Sequence, residues 1–164
     1  MTKPSLLKHV LDLSALPAAA LPDDAQRMAQ LSLFDWIVVS LAGSNQPLAK
    51  IMRDFVVAEG GNPIATVIGS DVKLPPRAAA LANGTISHAL DYDDTHFLFT
   101  GHPTASAFPT ALALGEELGT SIDEIMLAYM CGVEISTRLG HILGYSHYNK
   151  GFHQTATSGA FGAT

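Results

Sequence analysis

Apolar residues recurring at three- and four-residue spacing, punctuated by glycine and proline, run through most of the chain and read as helices. Pro22, Asp23 and Asp24 stand ahead of a run that continues to Ala42 and meets Gly43, which predicts a helix over 23–42 with acids at its positive end. Its segment LSLFDWIVVSLA is the most hydrophobic in the sequence. It falls short of the ~20 apolar residues of a membrane span and contains Asp35, so it reads as a buried helix. Pro47 opens a second helix with Leu48, Ile51, Met52 and Phe55 at helical spacing, ended by Gly60 and Gly61. The segment ATVIG that follows is β-branched with turn-forming neighbours and fits either a short edge strand or extended chain. An alanine-rich helix over 77–90 follows Pro75 and Pro76, and an Ala/Leu-rich one covers 107–118. Ser121 and Glu124 form a capping box before a long apolar helix over 122–143. These helices lack a polar face broad enough to stand alone, so they are expected to pack together in a mainly α fold. No linker, low-complexity tract or repeat interrupts them, which makes 1–164 one helical domain.

Composition narrows the picture. Only 15% of the 164 residues are charged and 48% are hydrophobic, so part of the apolar surface is expected to meet another chain or a further domain. A net charge of −6 without a concentrated Lys/Arg face argues against nucleic acid as a partner, and no membrane segment is expected. The single cysteine, Cys131, cannot pair within the chain, and the opening MTKPSLLKHVLDL is too polar for a signal peptide. A reducing cytoplasm fits both. The small-residue run GFHQTATSGAFGAT begins like a helix and stops without a cap, which leads to the expectation of an incomplete, truncated amino-terminal portion of a larger protein.

Polar chemistry collects in the second half. Six of the seven histidines lie between His88 and His153, beside Asp91, Asp93 and Asp94. If the helix through His88 continues for two more turns, His88, Asp91 and Thr95 share one face while Asp93 and Asp94 point elsewhere to cap or brace the turn. The same DYDDT segment also fits a solvated helix end whose acids bond free backbone groups. Pro103 fixes the backbone beside His102, which would hold its imidazole at a defined angle for acid/base work or carboxylate binding; a merely structural loop histidine is the other reading. His153 precedes a helix start that favours an anion, with Thr155, Thr157 and Ser158 as short donors, although a cap made by Thr155 needs only one of them. Glu134 and Arg138 at i, i+4, with His141 a further turn on, read as a structural ion pair, a catalytic role being the other reading, and His9, His96 and His147 carry no separate signal. HExxH, a second cysteine, GxSxG, P-loop and GxGxxG patterns are all missing, so no metal or other cofactor is expected.

The segments ANGTISHALDYDDTH, GHPTASAFPTALALGEELG, GVEISTRLG and HYNKGFHQTATSGAFGAT, with NPIATVIGS upstream, resemble the MmgE/PrpD family in order and spacing from about Asp23 onward. The resemblance implies a helical-bundle domain of that type, here lacking the family's smaller α/β lid domain, and a homodimer. Family members dehydrate, decarboxylate or epimerise small polycarboxylic acids; 2-methylcitrate dehydratase, cis-aconitate decarboxylase and iminodisuccinate epimerase are among them. Carried over residue by residue, the resemblance makes Asp91, Thr95, His102 and His153 catalytic. His88, Thr155 and Thr157 are then expected to bind substrate. The family's lysine and tyrosine from further along have no counterpart in this chain. Gln154 stands where many relatives have proline, and HFLFTG matches neither the tryptophan-rich insert of the dehydratases nor the short loop of the decarboxylases. The expected function is acid/base elimination on a small polycarboxylic acid, as in a 2-methylcitrate dehydratase-like lyase. Decarboxylation or epimerisation, a non-catalytic helical fragment, and a metal-dependent hydrolase using Asp91, Asp94, His96 and His102 are the alternatives.

Overall fold

A computed structural model describes residues 5–164. Seven α-helices account for most of these residues: α1 (Leu6–Ser14), α2 (Asp23–Gly43), α3 (Pro47–Glu59), α4 (Pro76–Ser87), α5 (Pro103–Leu118), α6 (Ile122–Asn149) and α7 (Gln154–Gly162). Two short antiparallel strands, β1 (Ala65–Thr66) and β2 (Lys73–Leu74), pair Ala65 with Leu74 and Thr66 with Lys73. The fold is therefore mainly α, with the ATVIG segment entering one small ladder. None of the helices is long and apolar enough to cross a membrane.

The starts follow local chemistry. Acids in the first turn of α2, prolines at the first positions of α3, α4 and α5, and the reciprocal Ser121–Glu124 capping box of α6 are all present. Three boundaries differ from those the pattern predicts. Helix α4 ends at Ser87 and not at 90, because His88 leaves the helix and Asp91 takes a left-handed conformation at φ 58°. His88, Asp91 and Thr95 consequently do not share a helical face. Helix α5 begins at Pro103, where its missing N–H is no loss, four residues ahead of the expected 107. Helix α6 reaches Asn149, past a kink at Gly144 whose φ of 60° and ψ of −170° only glycine adopts without strain. Helix α1 has no counterpart in the pattern reading.

Two apolar clusters hold these elements. One joins Ala49 and Val56 of α3, Ala65 and Leu74 of the strands, and Ala78, Ala79, Ala82 and Ile86 of α4. The other packs Trp36 of α2 against Phe108 of α5, the rings tilted by 57° with centres 4.8 Å apart, and sets Tyr129 of α6 edge-on to Phe108 at 5.5 Å. Small residues bring the helices close: a Cβ on Gly43 of α2 would lie 2.1 Å from the carbonyl oxygen of Ile86 in α4. Outside the core, Phe34, Leu31 and Val38 of α2 and Ile51 and Phe55 of α3 leave their side chains largely exposed.

Candidate active site

The α4–α5 connection, residues 88–102, is folded tightly without regular structure. His96 pairs with Gly101 as an isolated bridge, Thr100 turns the chain at φ 53°, and Phe99 is completely buried. Gly140 of α6 accepts this phenyl ring: a Cβ there would sit 2.9 Å from Phe99 Cδ2. The carbonyl of the same glycine receives the Nε2–H of Gln154 at 3.1 Å, and Gln154 is itself fully buried and accepts from Ser158 Oγ. The glutamine thereby ties the first turn of α7 to α6 and sets where His153, the residue capping α7, projects.

Neighbouring aspartates face opposite ways. Asp94 accepts from the hydroxyl and the backbone N–H of Thr104 at 2.6 and 3.3 Å, at the positive end of α5. The Thr104 hydroxyl also lies 2.7 Å from the phenol of Tyr129. Burial pushes the Asp94 carboxyl above the usual carboxylate range, against the lowering influence of Thr104, and burial likewise raises Tyr129. Asp93 turns inward, with its side chain 1% exposed, and its Oδ1 lies 2.9 Å from His88 Nδ1. His102 Nδ1 donates to the Asp93 backbone carbonyl at 3.2 Å and lies 3.3 Å from its Oδ2. On the other edge of the ring, His102 Nε2 stands 3.3 Å from Asp91 Oδ1, whose side chain is 78% exposed. The two imidazoles lie 4.5 Å apart between ring centres.

His102 and His153 face each other as nearly parallel rings with centres 6.1 Å apart, and Tyr148 meets His153 edge-on at 5.9 Å. A cleft of about 250 Å³ opens between them, lined by Thr95, His96, Phe97, Thr100, Gly101, His102, Tyr145, Tyr148 and His153. Thr95, His102 and His153 thus border one cleft, with Asp91 against the ring of His102. Thr155 does not line it but accepts from the backbone N–H of His102 at 2.9 Å, locking the N-termini of α5 and α7 together. Thr157 pairs with His147 Nε2 at 2.8 Å. His88 and Thr155 border a wider groove on the other side, with Leu81, Gly84 and Ser106.

Tyr145 and Tyr148 reach the cleft only because α6 bends at Gly144, and helical spacing gave no sign of either. Asp93 was legible only as an acid in a cluster, and nothing in its spacing distinguished it from Asp94. Glu134 and Arg138 do form an i,i+4 ion pair on the surface of α6, with the Nε–H donating at 2.6 Å, away from the cleft. His88, Asp91, Asp93 and His102 bring four potential ligand atoms within 4.8 Å of one another. In this set the Nδ1 of each imidazole faces Asp93, so the groups are already one another's partners. The hydrolase quartet of Asp91, Asp94, His96 and His102 does not assemble, because Asp94 is turned to Thr104.

Residues 13–164 match the MmgE/PrpD N-terminal domain. The chain is similar to the cis-aconitate decarboxylase of Homo sapiens, 29% identical over 154 residues that cover 90% of this chain and 32% of that protein. The Mus musculus cis-aconitate decarboxylase is 30% identical over 149 residues, covering 87% of this chain and 30% of that protein. For the Aspergillus terreus cis-aconitate decarboxylase the identity is 29% over 153 residues, covering 90% of this chain and 31% of that protein. The chain therefore spans about a third of the length of these curated relatives. Because the match spans residues 13–164, with the α4–α5 connection and the α7 start that build the cleft inside those bounds, the chain belongs to the MmgE/PrpD family and carries its N-terminal domain.

Proposed function

We propose that the full-length protein is a lyase acting on a small polycarboxylic acid, with Asp91, Thr95, His102 and His153 as its catalytic groups on this chain. The observation that carries this reading is the pair of imidazoles flanking one small cleft, each at the N-terminus of a helix. An anionic carboxylate is favoured at such helix starts, and an imidazole beside it can give or take a proton at the neighbouring carbon. His88, Thr155 and Thr157 would support substrate binding from behind that front rank, His88 and Thr155 through their contacts around His102. The polypeptide beyond this domain is proposed to supply a lid and further donors in a homodimer, completing a site that stands open here.

Decarboxylation is the first reaction to test, since the relatives described above are cis-aconitate decarboxylases. In that reaction the C–C bond to one carboxylate breaks, its electron pair stays on the substrate carbon beside a second carboxylate, carbon dioxide leaves, and a side-chain acid protonates carbon. Dehydration of a 2-methylcitrate-like acid uses the same groups in another order: a base takes the C–H proton and an acid protonates the departing hydroxyl. Incubation of the full-length protein with cis-aconitate and with 2-methylcitrate, following carbon dioxide release and the absorbance of the conjugated acid, separates the two. Turnover of one acid that disappears in His102→Ala is expected. Absence of turnover of both would overturn the reading.

A further inference from the structure

We infer that Asp93 is the positioning residue of this site, fixing His102 with its Nδ1 proton inward and its Nε2 toward Asp91 and the cleft. The inference rests on the reading of His102 as the group that handles protons. Of the two imidazoles around Asp93, His102 is the more buried, and its ring nitrogen Nδ1 meets nothing but acceptors, the Asp93 carbonyl at 3.2 Å and the Asp93 carboxylate at 3.3 Å. A carbonyl and a carboxylate cannot donate, so Nδ1 must carry a proton, and a proton the ring exchanges on its cleft side moves at Nε2. That nitrogen is the one 3.3 Å from Asp91 Oδ1, on the ring that lines the cleft. The tautomer needed for chemistry at Nε2 is thus set from behind.

The same carboxylate holds a second imidazole. His88 Nδ1 lies 2.9 and 3.1 Å from the two oxygens of Asp93, so it too must present a proton there, and its ring packs at 4.5 Å against that of His102. His88 thereby pins the carboxylate from one side while closing the space into which the His102 ring could turn. The aspartate side chain is only 1% exposed, and water cannot readily replace either contact. Orienting partners of this kind act by fixing which ring nitrogen is available, as carboxylates behind catalytic or metal-bound histidines do. Asp94, next in sequence, contacts neither imidazole and serves the helix start.

Asp93→Asn separates positioning from bulk stability, since it keeps the shape but replaces one acceptor oxygen by a donor amide. His88 Nδ1 lies within 3.1 Å of both oxygens, so in either orientation the new amide N–H faces it, and a single oxygen is left to accept from both rings. In the full-length protein with nitrogen-15-labelled histidine, wild type is expected to give Nδ1–H signals from His88 and His102. In Asp93→Asn at least one of these is lost or moved to the other nitrogen, whereas Asp94→Asn retains both. With the substrate that the protein turns over, Asp93→Asn is expected to lower kcat about 100-fold or more while KM changes less than about threefold. Lack of Nδ1–H signals in wild type overturns the inference without need of any variant, as does Asp93→Asn with both signals and an unaltered kcat. The nuclear resonance readout needs no substrate. Failure of every polycarboxylate as substrate would therefore sink the proposed function while the tautomer assignment is still decided.

Discussion

The α4–α5 connection and the packed faces of α2, α4 and α5 lie side by side and are built on opposite principles. Between the helices, alanine and glycine let backbones approach until no further atom fits, as at Gly43 against Ile86. In the connection, two non-glycine residues take left-handed conformations, Asp91 and Thr100, and side chains supply the hydrogen bonds that a helix would have made internally. Strain of this kind costs of order 1–3 kcal/mol per residue and survives only where surrounding contacts over-determine it. The contrast teaches that close packing and the candidate site occupy separate parts of the molecule: the first rests on small residues between helices, the second on a strained loop anchored to α6 through Phe99 and Gly140.

Substitutions on each side of that division sharpen it. The largest effect on the proposed reaction is expected from His102→Ala in the full-length protein, a fall in kcat/KM of about 10²–10⁴-fold, the range of a lost acid/base group. Steady-state kinetics on the preferred acid measure it, and a loss below tenfold would place the chemistry elsewhere. On the packing side, Gly43→Ala should destabilise by about 1–3 kcal/mol with the site's chemistry intact, because its Cβ would meet the Ile86 carbonyl at 2.1 Å. Thermal unfolding reads this as a drop in Tm, and an unchanged Tm would mean that α2 and α4 do not approach so closely.

Asp91→Gly tests both principles at one residue. Glycine relieves the left-handed strain at φ 58° while removing the carboxylate beside His102 Nε2, so activity should collapse as stability holds or rises by at most about 1 kcal/mol. Denaturant titration and kinetics on the same preparation decide it; a clear loss of stability would show that the side chain, and not the strain, governs this turn.

Asp94 gives the comparison a pH dependence. Burial raises its carboxyl in the folded state above the ordinary value of 3.8, so the folded protein holds this proton more tightly than the unfolded chain. Its contribution to stability is therefore complete below about that value and declines as pH rises through the folded-state value. Relative to wild type, Asp94→Asn should accordingly lose its disadvantage as pH increases from the acid side, measured as the difference in unfolding midpoint across pH. A difference that stays constant would refute a raised Asp94. The smallest effect belongs to Arg138→Ala, within about 0.5 kcal/mol in the same assay, because the half-exposed Glu134–Arg138 pair on α6 touches neither the cleft nor the core.

Much of the scaffold could be read from the sequence. Prolines at helix starts, paired acids at 23–24, the Ser121–Glu124 box and the glycine stops are local signals whose physics acts within one turn, and α2, α3 and the head of α6 appear where those signals put them. Part of the cleft lining was legible as well, since Thr95, His102 and His153 come from the DYDDT, His-Pro and G-F-H segments, whereas Tyr145 and Tyr148 do not. The roles within it were less so. His88 and Asp93 are five residues apart and meet in a turn, not along a helix, and Thr155 reaches His102 across 53 positions.

By itself, then, the sequence determined the helical class and most element starts, because periodicity and capping are satisfied by near neighbours. Only the tertiary structure decided that α4 stops at Ser87, that α6 bends at Gly144 to bring Tyr145 and Tyr148 to the cleft, and that Asp93 faces inward while Asp94 faces α5. The opposite facing of Asp93 and Asp94 depends on which group is present to accept or donate a hydrogen bond in a buried place. Such partners are assembled by packing, and no spacing along the chain encodes them.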